Sequence, residues 1–185
     1  ADAITVVDPG QGAFTLNTNS TAAAELSGIT YAGGTTYYAI GDDGAKSIWT
    51  TAISLNTATG RLNSAIVTGS ISVPALGSDS EGIAFRSGSN SVYVSDEVSS
   101  TIKEFSISTG LQISSVTVPP IYSNLQGNFG LEGLSLGGGS LWTANEEALT
   151  NDGPLSTTSA GSWVRLQRFD GSAVANGQWG YLTDP

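Results

Sequence analysis

Apolar and polar residues alternate in short runs along the whole chain, and turn-forming Gly, Ser, Asn and Asp residues separate one run from the next. The stretch 101–107, TIKEFSI, is typical, with an apolar side chain at every second or third position. This spacing predicts a β-strand with one buried face, because successive side chains of a strand point to opposite sides. No segment sustains a helical period, so the pattern predicts an all-β fold.

The predicted strands fall into three repeated units. Gly28, Gly82 and Gly133 stand in nearly the same phrase, written LSGIT, SEGIAF and LEGLSL, and recur about every fifty residues. A second apolar run follows each glycine and ends in an acidic pair, which begins 14, 14 and 13 residues after the glycine. Four strands in about fifty residues is the size of a propeller blade. We therefore predict repeat units at about 25–73, 79–118 and 130–174.

The predicted architecture is a β-propeller with four-stranded antiparallel blades, in a single domain over 1–185 or in the N-terminal part of a longer one. Propellers close with about 4–8 blades, and this chain supplies about 3.5 to 4 units of the predicted length, so the propeller is incomplete. The last residues, GYLTDP, resemble the start of a further strand. Because an open arc leaves strand edges unpaired, we expect the remaining blades or a second chain to cover its ends.

The composition narrows the classes of partner that the protein is expected to bind. Sixteen acidic residues against six basic ones give a net charge of −10, and such a surface repels nucleic acids and anionic lipids. No apolar run approaches the roughly 20 residues that a membrane-spanning helix needs, so we expect no membrane insertion. An acidic surface of this kind suits divalent cations, although acidity also serves solubility alone.

Two absent residue types narrow the chemistry further. The chain has no His and no Cys, which excludes Ser-His-Asp catalysis, thiol chemistry and most zinc sites. Carboxylates, hydroxyls, a few basic residues and an oxygen-ligated metal such as Ca²⁺ or Mg²⁺ remain. The sequence begins Ala-Asp-Ala, without Met, as a mature end does after removal of a signal peptide. We therefore predict a secreted or periplasmic protein.

Several motifs keep a fixed order along the second and third units. They are DSEGIA at 79–84, VSDE at 94–97, NFGLEGL at 128–134, NE at 145–146, DG at 152–153 and VRLQRFD at 164–170. In these motifs the chain resembles the phytase-like family that is described as having esterase-like activity. The resemblance covers about 79–170, and 25–43 fits a preceding blade more faintly. It implies an exported propeller, of which this chain is the N-terminal half to two-thirds, and hydrolysis of phosphoesters or simple esters.

The repeated acids form the candidate site. Glu81 and Glu132 precede two of the repeated glycines, at the start of strands that we expect to be innermost in their blades, so that both face the central channel. The acids at the end of the next strand are expected at the rim of the same channel. Clustered carboxylates are the oxygen ligands that Ca²⁺ prefers, and a cation relieves their mutual repulsion. The predicted metal ligands are Glu81, Asp96, Glu97, Glu132 and Glu146.

The resemblance implies a mechanism like that of propeller phytases, in which Ca²⁺ polarises a phosphate and a carboxylate acts as general base. The predicted catalytic residues are Glu81, Glu132 and Arg165. Phosphate sites usually contain several basic residues, and this chain has only six. Arg165 and Arg168 are three residues apart in a predicted strand, which places them on opposite faces.

Three alternatives stay open at this point. The repeated Glu residues can instead accept backbone hydrogen bonds and join blades without any ligand. The protein can be a non-catalytic extracellular propeller that binds a partner or belongs to an assembly and holds a structural cation. Finally, exposed tryptophans would favour a carbohydrate-binding surface; the candidates are Trp49, Trp142, Trp163 and Trp179.

Overall fold

The computed structural model describes residues 10–19, 23–42 and 44–185, and it forms three four-stranded antiparallel sheets. Within those residues there is no α-helix, only a 3-10 turn at Pro120–Ser123, and no helix that is long and apolar enough to cross a membrane. The all-β prediction and the four-stranded antiparallel blade are therefore confirmed.

Blade 1 consists of β1 (Leu26–Gly33), β2 (Thr36–Gly41), β3 (Ser47–Leu55) and β4 (Leu62–Ser72). Blade 2 consists of β5 (Ser80–Arg86), β6 (Ser91–Asp96), β7 (Thr101–Ser106) and β8 (Gln112–Val116). Blade 3 consists of β9 (Leu131–Gly137), β10 (Ser140–Asn145), β11 (Trp163–Phe169) and β12 (Ala175–Leu182).

The end of the chain differs from the prediction. Residues 180–182 do not open a further blade, because they finish β12, which pairs with β11 along its length. The third sheet therefore runs past residue 174, where the third repeat unit was predicted to end. The sequence of this outer strand does not show a regular apolar alternation, because the strand contains glycines and is exposed. Neither face of an outer strand needs a regular apolar pattern.

Two apolar cores lie between neighbouring blades. Ile40 and Ile48 of blade 1 pack with Ile83, Val92 and Phe105 of blade 2. The corresponding core between blades 2 and 3 has contributions from both sheets, namely Ala84, Tyr93, Ile102, Leu141 and Phe169. Each of the inner strands β5 and β9 thus lies beside the inner strand of the preceding blade. The side chains on the two faces of a sheet are buried against different neighbouring blades.

The repeated glycines allow this close packing. A Cβ atom at Gly28 would lie 2.4 Å from the backbone oxygen of Glu81, and one at Gly82 would lie 2.5 Å from the backbone nitrogen of Leu134. Neither glycine has a left-handed backbone conformation, so close approach, and not backbone freedom, requires glycine at both places. The repeat seen in the sequence is therefore the contact between innermost strands.

A buried carboxylate braces blade 2. Glu104 on β7 accepts hydrogen bonds from the hydroxyls of Ser91 at 2.6 Å and Ser114 at 2.8 Å, and it pairs with Arg86 at 3.4 Å. Burial by itself raises the pKa of Glu104, but the hydrogen bonds from these two serines and the charge of Arg86 outweigh it, so the net pKa is lowered. The ionised form is therefore the one that the folded state stabilises.

We expect Glu104→Gln to destabilise the protein by about 1–3 kcal/mol at neutral pH, since buried hydrogen-bonding partners lose a charged acceptor. A carboxyl group with a depressed folded-state pKa stabilises the fold above its unfolded-state pKa and loses that contribution as the pH falls through its folded-state pKa. The difference between wild type and variant should thus shrink on acidification. Urea unfolding at pH 7 and at pH 4 measures it, and an equal difference at both pH values would contradict this role.

Candidate metal centre

Two groups of carboxylates lie at one end of the inner strands of blades 2 and 3. Asp79, Glu81 and Glu97 form the first group, and Glu97 also belongs to the second, with Glu132 and Glu146. Within each group one carboxylate oxygen per residue lies within 4.8 Å of the others. Four of the five predicted metal ligands are thus brought together, and Asp79 joins them.

The positions of these acids follow from the blade repeat. Glu81 and Glu132 lie at the start of β5 and β9, directly before the repeated glycines. Glu97 and Glu146 directly follow β6 and β10, which run antiparallel to those inner strands. The start of one strand and the end of its antiparallel partner meet at the same edge, so blades 2 and 3 each deliver these two acids to one place, and Asp79 adds a third from blade 2.

In each blade, a backbone hydrogen bond fixes the acid that directly follows the second strand. The N–H of Glu97 donates to the backbone oxygen of Asp79 at 2.9 Å, and the N–H of Glu146 donates to that of Gly130 at 3.0 Å. Asp42 makes the equivalent bond in blade 1, to the oxygen of Glu25 at 3.1 Å. Asp42 is exposed, and its neighbour in the sequence pair, Asp43, lies outside the described residues.

Glu97 is held more firmly than the other members. Its Oε1 accepts the backbone N–H of Gly130 at 3.0 Å, and its Oε2 accepts the side-chain amide of Asn128 at 2.6 Å. The same amide donates to Asp79 Oδ2 at 3.0 Å. The segment before β9 therefore orients two carboxylates of the first group, and these bonds leave further lone pairs on each carboxylate oxygen.

The cluster carries uncompensated negative charge. Burial, then the charges of other carboxylates, raises the pKa of Glu81 to about 7. Burial also raises the pKa of Glu97 to about 7, in spite of the hydrogen bond from Gly130. For Glu132, burial followed by the charge of Glu146 raises the pKa. The charged neighbours that shift these pKa values are all carboxylates, and the ion pairs Arg86–Glu104 and Arg165–Asp152 involve other acids.

This charge predicts a pH-dependent stability for the protein in chelator. A carboxyl group with a raised folded-state pKa binds its proton more tightly in the folded state, so stability falls as the pH rises from the unfolded-state pKa toward about 7, the pKa of Glu81 and Glu97. We therefore expect a higher melting temperature at pH 5.5 than at pH 8, measured by circular dichroism. A melting temperature that rises over this interval would contradict the repulsive cluster. Saturating Ca²⁺ should remove the slope, because the cation replaces the proton.

The donor set fits a hard divalent cation. Two carboxylate triplets that share Glu97 lie at this edge of blades 2 and 3, and carboxylate oxygens are the ligands that Ca²⁺ takes, 6–8 in number at about 2.3–2.6 Å. Without a cation, such a group is a cost to the fold, as the raised pKa values show. The residues that would hold an ion are Asp79, Glu81 and Glu97 in one triplet, and Glu97, Glu132 and Glu146 in the other.

The other members of the acidic pairs have structural contacts. Asp96, predicted as a ligand, lies outside both carboxylate groups. Its Oδ1 accepts the N–H of Ser99 at 2.9 Å and also the hydroxyl of Ser99, while its Oδ2 accepts the N–H of Asp79 at 3.3 Å. Glu147 accepts the N–H of Ser156 at 3.0 Å. In each of these two acidic pairs, one acid thus belongs to the carboxylate groups and the other holds a turn or a loop.

Arg165, predicted as catalytic, is engaged elsewhere. Its guanidinium donates to both oxygens of Asp152, at 2.6 and 2.5 Å, and to Gln178. The hydrogen bonds to Asp152 raise the pKa of Arg165. Arg168 lies instead over the rings of Trp142 and Trp179, at 5.7 and 5.3 Å, as the odd spacing of the two arginines predicts. The structure therefore shows Arg165 holding the loop that carries Asp152, with no contact to the carboxylate cluster.

The tryptophans separate into buried and exposed positions. Trp49 is buried in the core of blade 1, Trp142 is half-buried, and Trp163 and Trp179 are 50% and 45% exposed. Trp163 and Trp179 line a cavity of about 310 Å³ together with Asp152, Arg165 and Gln178. A carbohydrate surface would have to use these two exposed residues, and it stays a prediction.

Sequence reasoning missed Asp79 as a cluster member. It expected Asn128 near the carboxylates as an oxygen ligand, whereas the Asn128 amide nitrogen donates to Asp79 and Glu97. A signal for both was present, since each stands inside a motif that keeps its order, DSEGIA and NFGLEGL. Two residues before Glu81 in an extended chain, Asp79 points to the same side. The role of Asn128 depends on a contact between segments 49 residues apart, which spacing alone does not predict.

Three successive four-stranded blades and a shared acidic edge define this chain as part of a β-propeller. A family model described as "Phytase-like: Esterase-like activity of phytase" matches residues 21–185. The chain belongs to this phytase-like family. No curated protein matches the chain.

Solved structures with a similar chain path are distant in sequence. Hydrazine synthase of Kuenenia stuttgartiensis is 13% identical with a TM-score of 0.43, and the match covers 93% of this chain and 52% of that one. The WD40 β-propeller domain of Doa1 is 6% identical with a TM-score of 0.43 over 83% and 54%. A nidogen/laminin complex gives 11% identity and a TM-score of 0.41 over 85% and 48%. This chain thus spans about half the length of each.

Proposed function

We propose that this protein binds Ca²⁺ at the carboxylate cluster between blades 2 and 3. The observation that carries the proposal is the pair of carboxylate triplets that share Glu97, with all ligand oxygens of a triplet within 4.8 Å. The raised pKa values of Glu81 and Glu97 support it, because burial and then the charges of neighbouring carboxylates raise them, and a bound cation would relieve that repulsion. Each triplet offers three carboxylates, whereas Mg²⁺ usually binds through one or two and keeps several waters in a strict octahedron, which favours Ca²⁺.

Within the phytase-like family we further propose hydrolysis of a phosphoester or a simple ester at this site. A bound Ca²⁺ would polarise the ester oxygen and lower the pKa of a water ligand. Glu81 and Glu132 start neighbouring inner strands, and neither side chain has a hydrogen-bonding partner like those that hold Glu97. One of them can therefore take the proton of an attacking water while the others hold charge.

Arg165 enters this mechanism only if its contact with Asp152 opens. The bidentate pair is half-buried on both sides, with side-chain exposures of 25% and 14%. A phosphate could replace the Asp152 carboxylate, because both fit the fork of a guanidinium. The proposal for Arg165 is therefore conditional on movement of the loop that carries Asp152.

The second candidate is a non-catalytic extracellular propeller in which the cation has a structural role. Glu97 favours this alternative, because both of its oxygens already join blade 2 to the segment that leads into blade 3. A cation at the same place would add a bond between the blades.

Export of the protein is part of both proposals. Detection of the native protein in culture supernatant or periplasmic extract would test it. Residues 1–9, which include the Ala-Asp-Ala start, lie outside the described residues.

Binding and hydrolysis need separate measurements. Calorimetric titration of the chelator-treated protein with Ca²⁺, and with Mg²⁺ as the competing ion, tests the site; no heat with either ion would overturn it. Hydrolysis of p-nitrophenyl phosphate and p-nitrophenyl acetate, with Ca²⁺ and with chelator, then distinguishes the candidates. Ca²⁺-dependent turnover that Glu132→Gln abolishes supports the hydrolase. Tight Ca²⁺ binding without turnover supports the structural cation.

A further inference from the structure

The cavity of about 310 Å³ beside Arg165 lies on the side of blade 3 that faces blade 2. Phe169 and Gln167 of β11 are buried, and Phe169 belongs to the core that blade 3 shares with blade 2. Arg165 and Trp163 precede them at intervals of two residues along the same strand, so their side chains point to the same side of the sheet. A blade that followed blade 3 would pack on the opposite face, which carries Arg168. The cavity therefore does not owe its exposure to the end of the sequence.

Trp163 supplies a flat apolar wall of this cavity. A Cβ atom on Gly180 of β12 would lie 3.4 and 3.6 Å from two carbons of the six-membered ring of Trp163, so the ring rests against that strand. Half of the side chain stays exposed. Trp179 also borders the cavity, but its ring packs with Trp142 and Arg168 on the opposite face. A polar ligand that has one apolar face can cover the Trp163 ring.

The polar part of the lining is a connected set of planar side chains. Arg165 donates to both oxygens of Asp152, at 2.6 and 2.5 Å, and to the side-chain oxygen of Gln178. Gln178 donates in turn to the hydroxyl of Tyr122 at 3.4 Å and to the side-chain oxygen of Gln167 at 3.0 Å. Two N–H groups of the guanidinium remain beyond these bonds, and each oxygen of Asp152 keeps a second lone pair. Donors and acceptors thus lie side by side.

The loop that carries Asp152 is fixed in place. The side-chain amide of Gln126 donates to the backbone oxygens of Ala148 and Gly153, both at 2.8 Å. Leu149 is fully buried, and its backbone oxygen accepts the N–H of Asp152 at 2.8 Å. The carboxylate is therefore oriented before any ligand arrives, which lowers the entropy cost of binding.

The charges of this cavity select a neutral ligand. The guanidinium of Arg165 would attract an anion, but the carboxylate of Asp152 beside it would repel the same anion, and a cation meets the reverse. A hydroxyl group has no charge and both donates and accepts, so it can accept an N–H of Arg165 and donate to Asp152 at once. Two neighbouring hydroxyls use both edges of the pair. A molecule with neighbouring hydroxyls and an apolar C–H face is a sugar ring.

We infer that this cavity binds a neutral pyranose sugar, with a C–H face on Trp163 and two neighbouring hydroxyls on the Arg165–Asp152 pair. The volume of about 310 Å³ lies at the lower end of the range of small-molecule sites, about 300–1,000 Å³, so it suits a single sugar unit. The inference takes the Arg165–Asp152 pair closed, as the structure has it. It does not rest on the proposed function, in which a phosphate would have to open that pair.

Saturation-transfer NMR with the methyl glycosides of glucose, galactose, mannose, xylose and N-acetylglucosamine tests the site. At least one of these probes should bind with a dissociation constant of about 1–10 mM, since about a dozen heavy atoms give modest affinity. Saturation should be strongest on the C–H protons of one ring face, which is the signature of contact with an aromatic wall. Chelator should leave the signal unchanged, because the cavity residues lie outside both carboxylate groups.

Variants locate the binding within the cavity. Trp163→Ala should weaken it about tenfold, and Trp163→Tyr, which keeps a ring, should restore most of it. Asp152→Asn removes the balancing charge, so the sugar should bind more weakly and inorganic phosphate should bind instead. The matched control is Tyr31→Ala, which removes an exposed ring from blade 1 and should change neither affinity.

Four outcomes would overturn the inference. The first is the absence of saturation transfer with every methyl glycoside. The second is equal binding by Trp163→Ala and the wild type, which would place the sugar elsewhere on the surface. The third is phosphate binding by the wild type that excludes the sugars, which would make this an anion site with an open Arg165–Asp152 pair. The fourth is loss of sugar binding in chelator, which would assign the sugar to the carboxylate cluster.

Discussion

Ca²⁺ at about 100 times its dissociation constant should raise the melting temperature of the chelator-treated protein by about 5–10 °C. Binding to the folded state alone contributes about 2.7 kcal/mol at that concentration, and one kcal/mol corresponds to about 2–4 °C in a chain of this size. Relief of the repulsion at Glu81 and Glu132, whose pKa values burial and neighbouring carboxylates raise, acts in the same direction. Differential scanning calorimetry with and without Ca²⁺ measures the shift.

Variants of the cluster should have two effects of opposite sign. Glu81→Gln or Glu132→Gln removes one negative charge, so we expect the metal-free protein to melt higher and the Ca²⁺ shift to fall by at least half. Both substitutions leave the hydrogen bonds of Glu97 in place. Asp184→Asn removes the same charge from an exposed position outside both carboxylate groups and should change neither quantity. A full Ca²⁺ shift in both cluster variants would show that the ion binds elsewhere.

Gly82→Ala should destabilise the protein by about 3 kcal/mol, the upper range of overpacking in a close-packed interior. Its Cβ would lie 2.5 Å from the nitrogen of Leu134 and 2.7 Å from the hydroxyl of Ser95. Ser95 is fully buried and accepts the N–H of Gly82 at 2.8 Å, so neither neighbour can move without loss. Urea unfolding measures the change in the free energy of unfolding.

The matched control is Gly69→Ala on the outer strand β4, where a Cβ meets nothing within 4 Å. We expect a change within about 0.5 kcal/mol there, or a slight gain from the reduced entropy of the unfolded chain. Equal effects at the two glycines would mean that blades 2 and 3 do not pack as tightly as described. A larger loss at Gly82 assigns the repeated glycine to blade contact.

The sequence predicted that the candidate site is a carboxylate cluster, and the structure changed which residues belong to it. Glu81 and Glu132 are located by the phrase that contains the repeated glycine, and both belong to the cluster. In blade 2 the offset from the glycine gave Asp96 and Glu97 as equal candidates, and the structure places only Glu97 in the carboxylate groups. The turn between β5 and β6 has four residues, whereas the turn between β9 and β10 has two, so the position that faces the cluster lies 15 residues after Gly82 but 13 residues after Gly133. The length of a turn between two strands is not visible in the spacing of the acids alone.

The sequence by itself determined the repeat, the strand content and the acidic character of the site. These are local properties, since alternation, glycine phrases and acid pairs act within a few residues of one another. Only the tertiary structure decided that Asp79 joins the cluster, that Asn128 holds two carboxylates, and that Arg165 is bound to Asp152. Those contacts join residues that are 13 to 49 positions apart. Their geometry depends on how one blade packs on the next and on the path of the connecting loops, and neither is encoded in the period of a single strand.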